Sequence, residues 1–162
     1  MKIKTDSREQ RALDFHGAEV VTMPYGDYGA CWDSGDGMPV VFERKSLADL
    51  WTTLANSDGH ERFKRELERA KGDGVKLVLI IEASISEVAA GFPRSKMTGT
   101  TMLRKLFTFW VKHDLPVVFC QNRGEMKRYI VETFEAVERN YSPVKVANGP
   151  ASTELSRPSA AS

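Results

Sequence analysis

From Val75 to Glu82 the chain reads Val-Lys-Leu-Val-Leu-Ile-Ile-Glu, almost all of it β-branched or Leu. The run is too short for a typical helix and does not alternate with polar residues, so it reads as a strand covered on both faces. Strands alternating with helices follow in the later half of the chain. Together these features predict a mixed α/β architecture with helices on both faces of a sheet. Glu82 ends the run as an acid at the carboxyl end of a central strand, where α/β proteins often place functional groups.

The remaining elements are expected in sequence around that strand. Met1 to Thr5 alternates as a first strand. Glu9 to His16 has helical spacing through Ala12, Leu13 and Phe15, with Gly17 as its stop. Strands are predicted over Glu19 to Met23, Tyr28 to Trp32 and Pro39 to Lys45, the last two joined by the turn Asp33 to Gly37. Ser46 is placed to cap a helix carrying Leu47, Leu50, Trp51 and Leu54, and a second helix spans His60 to Lys71. Beyond a loop at Gly91 to Lys96, a helix over Thr98 to His113, a strand over Pro116 to Cys120 and a helix over Glu125 to Asn140 complete the pattern. From Ser142 onward Pro, Ser, Ala and Asn dominate without periodicity, as in a disordered tail. The division expected is therefore one domain over 1–141 and a tail over 142–162.

Charge excludes little by itself. The 162 residues carry 23 Lys and Arg against 22 Asp and Glu, so a nucleic-acid surface has to come from local segregation of charge. Cys31 and Cys120 are too few for a four-ligand zinc site and read as reduced core residues. The N-terminus lacks the apolar run of a signal peptide, Leu77 to Ile81 is too short to span a bilayer, and no compact basic cluster suggests nuclear import. The expected location is the cytoplasm of a prokaryotic or virus-infected cell.

Several chemistries are not encoded. There is no glycine-rich phosphate loop, nucleophile elbow or dinucleotide fingerprint, and His16, His60 and His113 lack metal-ligand spacing. Carboxylates remain. In Val40-Val41-Phe42-Glu43-Arg44-Lys45-Ser46 an apolar strand runs into a charged triplet. Side-chain alternation puts Glu43 and Lys45 on one face and Arg44 on the other. Asp27 sits in the turn that opens the preceding hairpin, so the three charged groups Asp27, Glu43 and Lys45 can converge. Two hard carboxylates suit magnesium or manganese, with Lys45 beside them to neutralise charge developing on a phosphodiester.

Asp6-x-Arg8-Glu9, Gly26-Asp27 and Glu43-Arg44-Lys45 followed three residues later by Asp49-Leu50 resemble, in that order, the signature of the XPF/Hef family of structure-specific endonucleases. That family is a branch of the PD-(D/E)XK nuclease superfamily, and the resemblance spans about residues 1–140. It implies a restriction-endonuclease-like mixed central sheet flanked by helices on both faces. It also implies cleavage of branched or flapped DNA, in repair, recombination or replication, with magnesium or manganese. Asp27 and Glu43 match the metal ligands and Lys45 the catalytic lysine, while Asp6, Arg8, Glu9, Arg44 and Asp49 match the remaining active-site positions. Arg44, pointing away from Glu43, is expected to anchor Asp6, Glu9, Asp49 or a phosphate. Family members that act on forks carry tandem helix-hairpin-helix domains after the nuclease, where this sequence has its short tail. Either a partner protein supplies the grip on DNA or the nuclease stands alone.

DNA contacts are expected from Arg8, from Arg62 and its helix, and from the acid-free series Arg94, Lys96, Arg104 and Lys105. The helix from Thr98 to His113 spreads its apolar residues over an arc of roughly 200°, wider than one core requires. With the resemblance, this points to a homodimer interface at Leu106, Phe107, Phe109 and Trp110. Two other functions stay open at this level: a non-catalytic DNA-binding or partner subunit on the same fold, and an RNA-directed or non-specific nuclease.

Overall fold

Six strands build one mixed sheet in the computed structural model, which describes residues 1–141. They are β1 (Lys2–Asp6), β2 (Glu19–Val21), β3 (Tyr28–Cys31), β4 (Val40–Ser46), β5 (Lys76–Glu82) and β6 (Val117–Phe119), in the spatial order β2-β1-β3-β4-β5-β6. β3 runs antiparallel to both its neighbours, β1 and β4, whereas β2 pairs parallel with β1, and β4, β5 and β6 run parallel to one another. Parallel neighbours need long crossovers. These are supplied by α1 (Leu47–Leu54) and α2 (Ser57–Gly72), then by α3 (Ile85–Ala90) and α4 (Gly99–His113); α5 (Arg123–Asn140) follows β6.

The alternation of β4 and β5 divides the interior in two. Val41, Leu77, Leu79 and Ile81 pack against Leu50 of α1, Phe63 of α2, and Met102 and Leu106 of α4. Phe42, Val78 and Ile80 point the other way, against Met126, Ile130 and Phe134 of α5. Phe42 and Phe134 are fully buried and meet edge-on at 5.4 Å, a geometry that adds roughly 0.5–1.5 kcal/mol beyond area burial. The two-faced strand expected at Val75 to Glu82 is thus the centre of the molecule, and the restriction-endonuclease-like arrangement is present.

Two local expectations fail for physical reasons. Glu9 to His16 is not a helix. Leu13 and Phe15 are both buried, two residues apart, as an extended segment requires. Backbone groups there are also satisfied from outside: the Tyr28 hydroxyl accepts from Leu13 N–H at 2.9 Å, and Arg123 donates to the carbonyls of Arg11 and Ala12, both at 2.8 Å. The short helix α3 was not anticipated, although its capping box is visible as Ser84-x-x-Glu87. The hairpin turn holds, with Trp32 N–H donating to the Asp36 carbonyl. Cys31 and Cys120 are buried free thiols.

The broad apolar arc of α4 separates into two parts. Leu106 and Phe109 are 0% and 2% exposed within the chain's own core, so neither is available to a second copy, contrary to expectation. Phe107 is half-buried, whereas Trp110 is 51% and Val111 83% exposed. The tail expected over 142–162 lies outside the described residues. No helix among the described residues is long and apolar enough to cross a membrane.

Candidate active site

The turn before β3 is built to bring one carboxylate against β4. Gly26 has φ +69°, and a Cβ there would stand 3.1 Å from the Phe42 carbonyl oxygen, so a side chain is excluded by both strain and space. Its N–H donates to Glu66 Oε1 of α2 at 2.9 Å. Asp27 N–H then donates to the Phe42 carbonyl at 2.7 Å, and Asp27 Oδ2 accepts from Arg44 N–H at 2.7 Å. The Asp27 carboxylate is therefore latched to the strand that carries Glu43.

Strand alternation delivers the rest as expected. Glu43 and Lys45 share the face of Val41, where the Lys45 ammonium contacts Glu43 Oε1 directly. Burial, with Glu43 beside it, pushes the Asp27 carboxyl up to about 8. Glu43 is also raised, by burial first and by the nearby Glu66 and Glu9, although Lys45 opposes the shift. Burial alone would lower Lys45, but Glu43, then Asp27 and Glu66, outweigh it and its pKa is raised. Its neighbours thus favour the charged ammonium in the metal-free site. Two carboxylates that resist ionisation together form a site where added positive charge is strongly favoured.

A divalent cation fits this donor set. Hard carboxylate oxygens are what magnesium and manganese take, and magnesium commonly uses one or two carboxylates with water and phosphate in the remaining positions. Among the described residues no group of three or more His, Cys, Asp or Glu side chains is gathered as a fuller ligand shell. The surrounding cavity is about 260 Å³, and Arg8, Glu9, Arg11 and Asp49 line it together with Asp27, Glu43, Arg44 and Lys45.

The outer members take distinct positions. Asp6, 3% exposed, accepts from Arg8 N–H and Nε at 2.8 Å, from a second guanidinium nitrogen at 2.9 Å and from Met23 N–H at 2.6 Å. Those bonds hold its pKa down to about 2 and leave no lone pair obviously directed at Asp27, so Asp6 is a latch between β1 and the segment after β2. Asp49 is exposed and exchanges bonds with the α1 cap, accepting from Ser46 Oγ at 2.6 Å. Arg44 reaches the opposite sheet face, where it pairs with Glu82 and lies 3.6 Å from Glu9. Of the four anchors expected for Arg44, Glu9 is met and Glu82 is the stronger partner. Arg123, the first residue of α5, adds a second cation 3.5 Å from Glu82.

Five of the six residues expected to contact DNA are not among those lining the Asp27–Glu43 cavity. Arg94 and Lys96 are exposed on the loop before α4, Arg104 is exposed on α4, and Lys105 donates to the Leu54 carbonyl at 2.8 Å. Arg8 does line the cavity, and its side chain is 67% exposed at the mouth. Arg62 is exposed on α2, one turn before Glu66. Sequence reasoning missed Arg11, which lines the cavity, and Glu66 and Arg123, whose partners Gly26 and Glu82 come from distant segments.

Comparison with known proteins bears on the fold. The profile of the ERCC4 domain matches residues 5–133. Among solved structures, XPF from Aeropyrum pernix superposes with a TM-score of 0.59 at 16% identity, covering 84% of this chain and 66% of that one. The same protein in complex with DNA gives a TM-score of 0.59 at 16% identity, covering 89% and 68%. At that identity the likeness speaks for the fold, and the chain spans only about two thirds of the solved protein. No curated protein gives a significant match.

Proposed function

The chain belongs to the ERCC4-domain family of nuclease domains, and on that premise we propose that it is a divalent-metal-dependent DNA endonuclease that cuts branched or flapped DNA in repair, recombination or replication. The observation that carries this reading is the buried Glu43–Lys45 contact beside Asp27, whose carboxyl is pushed up to about 8. Asp27 and Glu43 are the residues that would hold magnesium or manganese, and such an ion supplies Lewis-acid polarisation of a phosphodiester and acidification of a water. Lys45, whose charged form its acidic neighbours favour, donates to negative charge as it grows on the phosphorus oxygens. Glu43 keeps that ammonium oriented, and Asp27 is held in place by Arg44 N–H. Arg8 and Arg11 at the cavity mouth are placed to receive the flanking phosphates.

The test is cleavage of labelled fork, flap and duplex DNA with magnesium, manganese or EDTA, by wild type and Glu43→Ala. Cutting is expected only with metal, better on branched substrates, and reduced at least ~100-fold by the substitution, as for other lost charge-stabilising groups. Cleavage that persists undiminished in Glu43→Ala overturns the site. Binding without cleavage of any substrate moves the chain to a non-catalytic role. We further infer pairing of two copies through the outer face of α4, where Phe107 and Trp110 adjoin at 6.2 Å and Trp110 is half exposed. A separate DNA-gripping partner fits the same reading.

A further inference from the structure

Between α2 and α4, on the sheet face that also carries α1, lies a second cavity of about 320 Å³. Its charged wall is formed by His60 and Lys64 of α2 and by Arg104, Lys105, Lys112 and His113 of α4, and no Asp or Glu is among its lining residues. None of the four Lys and Arg side chains pairs with a carboxylate among the described residues. In a protein of net charge +1 this is strong local segregation. The excess is felt inside the wall: burial, then the neighbouring Lys105 and Lys64, lower the His60 pKa against the opposing charge of Glu61, and its buried Nδ1 has no hydrogen-bond partner among the described residues.

The cavity is separate from the catalytic one, and α2 divides them. At about 100° per residue, Glu66 lies roughly 70° to one side of the buried stripe Phe63, Leu67 and Ala70, facing Gly26. His60 and Lys64 lie on the other side of that stripe, facing α4. Along α4 the eight-residue step from Arg104 to Lys112 covers about 12 Å. Even along the axis of a duplex one strand advances about 3.4 Å per phosphate, and along the backbone itself the step is longer, so that wall spans about two phosphates. Phe109, which forms the floor between His60 and His113, is 2% exposed, so its ring offers little surface on which a base could stack. Thr101 and Thr108 complete the lining, and every charge in it is positive.

We propose that this α2–α4 groove binds the phosphodiester backbone of a nucleic-acid strand, independently of base sequence and apart from the strand held at Asp27 and Glu43. The choice of nucleic acid as occupant rests on the nuclease reading. It would let the domain hold two strands of a branched substrate at once.

The experiment measures binding of a labelled single-stranded oligonucleotide to the full chain in EDTA across a salt series. Wild type is compared with Arg104→Gln/Lys112→Gln and with Arg128→Gln/Arg139→Gln, which removes the same charge from α5. The groove variant should bind severalfold more weakly, and its log–log salt slope should be shallower by about 1.4, two contacts at ~0.7 each for a single strand. The α5 variant should match wild type. An unchanged slope in the groove variant, an equal loss in the α5 variant, or displacement by polyglutamate as readily as by unlabelled oligonucleotide each overturns the proposal. Because binding is read without cleavage, a groove that behaves as expected in a protein that cuts nothing would sink the nuclease reading alone.

Discussion

Arg44 on β4 and Glu82 on the neighbouring strand β5 form a two-point ion pair, with Arg44 Nε 3.1 Å from Glu82 Oε2 and a second guanidinium nitrogen on the same oxygen. Parallel register sets Arg44 opposite Ile80, so Glu82, two residues on, shares its sheet face. The Arg44 side chain is 3% exposed. It therefore braces the strand under Glu43 and Lys45 from behind, while its backbone N–H holds Asp27 in front.

Breaking that brace should cost stability. Arg44→Met leaves the partly exposed Glu82 with only the more distant Arg123, and should destabilise the fold by about 1.5–3 kcal/mol, the usual cost of losing hydrogen bonds between charged groups. Glu82→Gln should cost less, because Arg44 retains Glu9. A urea-denaturation cycle with the double variant should return a coupling of about 1–3 kcal/mol. A coupling near zero would mean that the contact does not brace the strand.

The split of Glu43 and Lys45 from Arg44 was legible because strand periodicity is local: once Val40 to Phe42 is a strand, the next three side chains must alternate. The two-faced β5 was legible for the same kind of reason, its lack of alternation. Glu66 was not. It meets Gly26 across 40 residues, and in its own helix it looks like one more acid among bases. The segment at Leu13 and Phe15 misled because an i, i+2 pair with a neighbouring Ala also satisfies a helical template, and the deciding groups, Tyr28 and Arg123, come from elsewhere in the chain. The width of the α4 arc was read correctly, but which of its residues the core would take depended on how α4 is seated against α1 and α2.

Asp27 makes the metal-free protein sensitive to alkali. Its folded pKa, about 8, lies above the ordinary 3.8, so the folded state holds a proton that the unfolded state loses first. This contribution is complete below about pH 4 and declines as pH rises towards 8. Asp27→Asn should flatten that decline and stabilise the metal-free protein at pH 8 by at least ~1 kcal/mol, the equivalent of about one pKa unit. Magnesium or manganese should raise the wild-type melting temperature increasingly with pH, because the ligands must lose protons to bind, and should leave Asp27→Asn nearly unchanged. Thermal melts at a series of pH values, with metal and with EDTA, measure both effects.

Asp6 should show the opposite pH dependence. Its folded pKa of about 2 lies below the ordinary 3.8, so its contribution is present above pH 4 and is lost as pH falls from there towards 2. The shift corresponds to roughly 2 kcal/mol at about 1.4 kcal/mol per unit. Asp6→Ala should therefore lower stability at neutral pH, chiefly by freeing Arg8 and the Met23 N–H. If Asp6 is only a latch, kcat measured well below the melting temperature should stay within a few-fold of wild type, whereas a loss like that of Glu43→Ala would place it in the chemistry.

Pairing through α4 predicts a particle of twice the chain mass in sedimentation equilibrium. Trp110→Glu should abolish it without lowering the melting temperature of the monomer, since that side chain is 51% exposed. Leu106→Ala, by contrast, should unfold the chain more readily by about 2–5 kcal/mol, because Leu106 is fully buried in the core. Wild type that sediments as a monomer at high concentration, or a Trp110→Glu dimer, removes α4 as the interface.

Glu66 tests whether the active site depends on a residue that does not belong to the motif. Its carboxylate does two things: Oε1 accepts from Gly26 N–H at 2.9 Å, fixing the turn before Asp27, and its charge opposes ionisation of Glu43 while favouring the Lys45 ammonium. Gln keeps an oxygen for Gly26 but removes the charge, whereas Ala removes both. If charge dominates, Gln and Ala should be equally affected, with metal affinity weakened because less negative potential remains. If positioning dominates, Glu66→Gln should stay near wild type in kcat. Glu66→Ala should then lose activity and also stability, by about 1 kcal/mol for the orphaned N–H. Geometry favours the second outcome. The Gly26 N–H is in a turn too tight to admit a Cβ, and no other described group is bonded to it. Metal titrations followed by thermal shift, beside cleavage rates for the two variants, separate the cases.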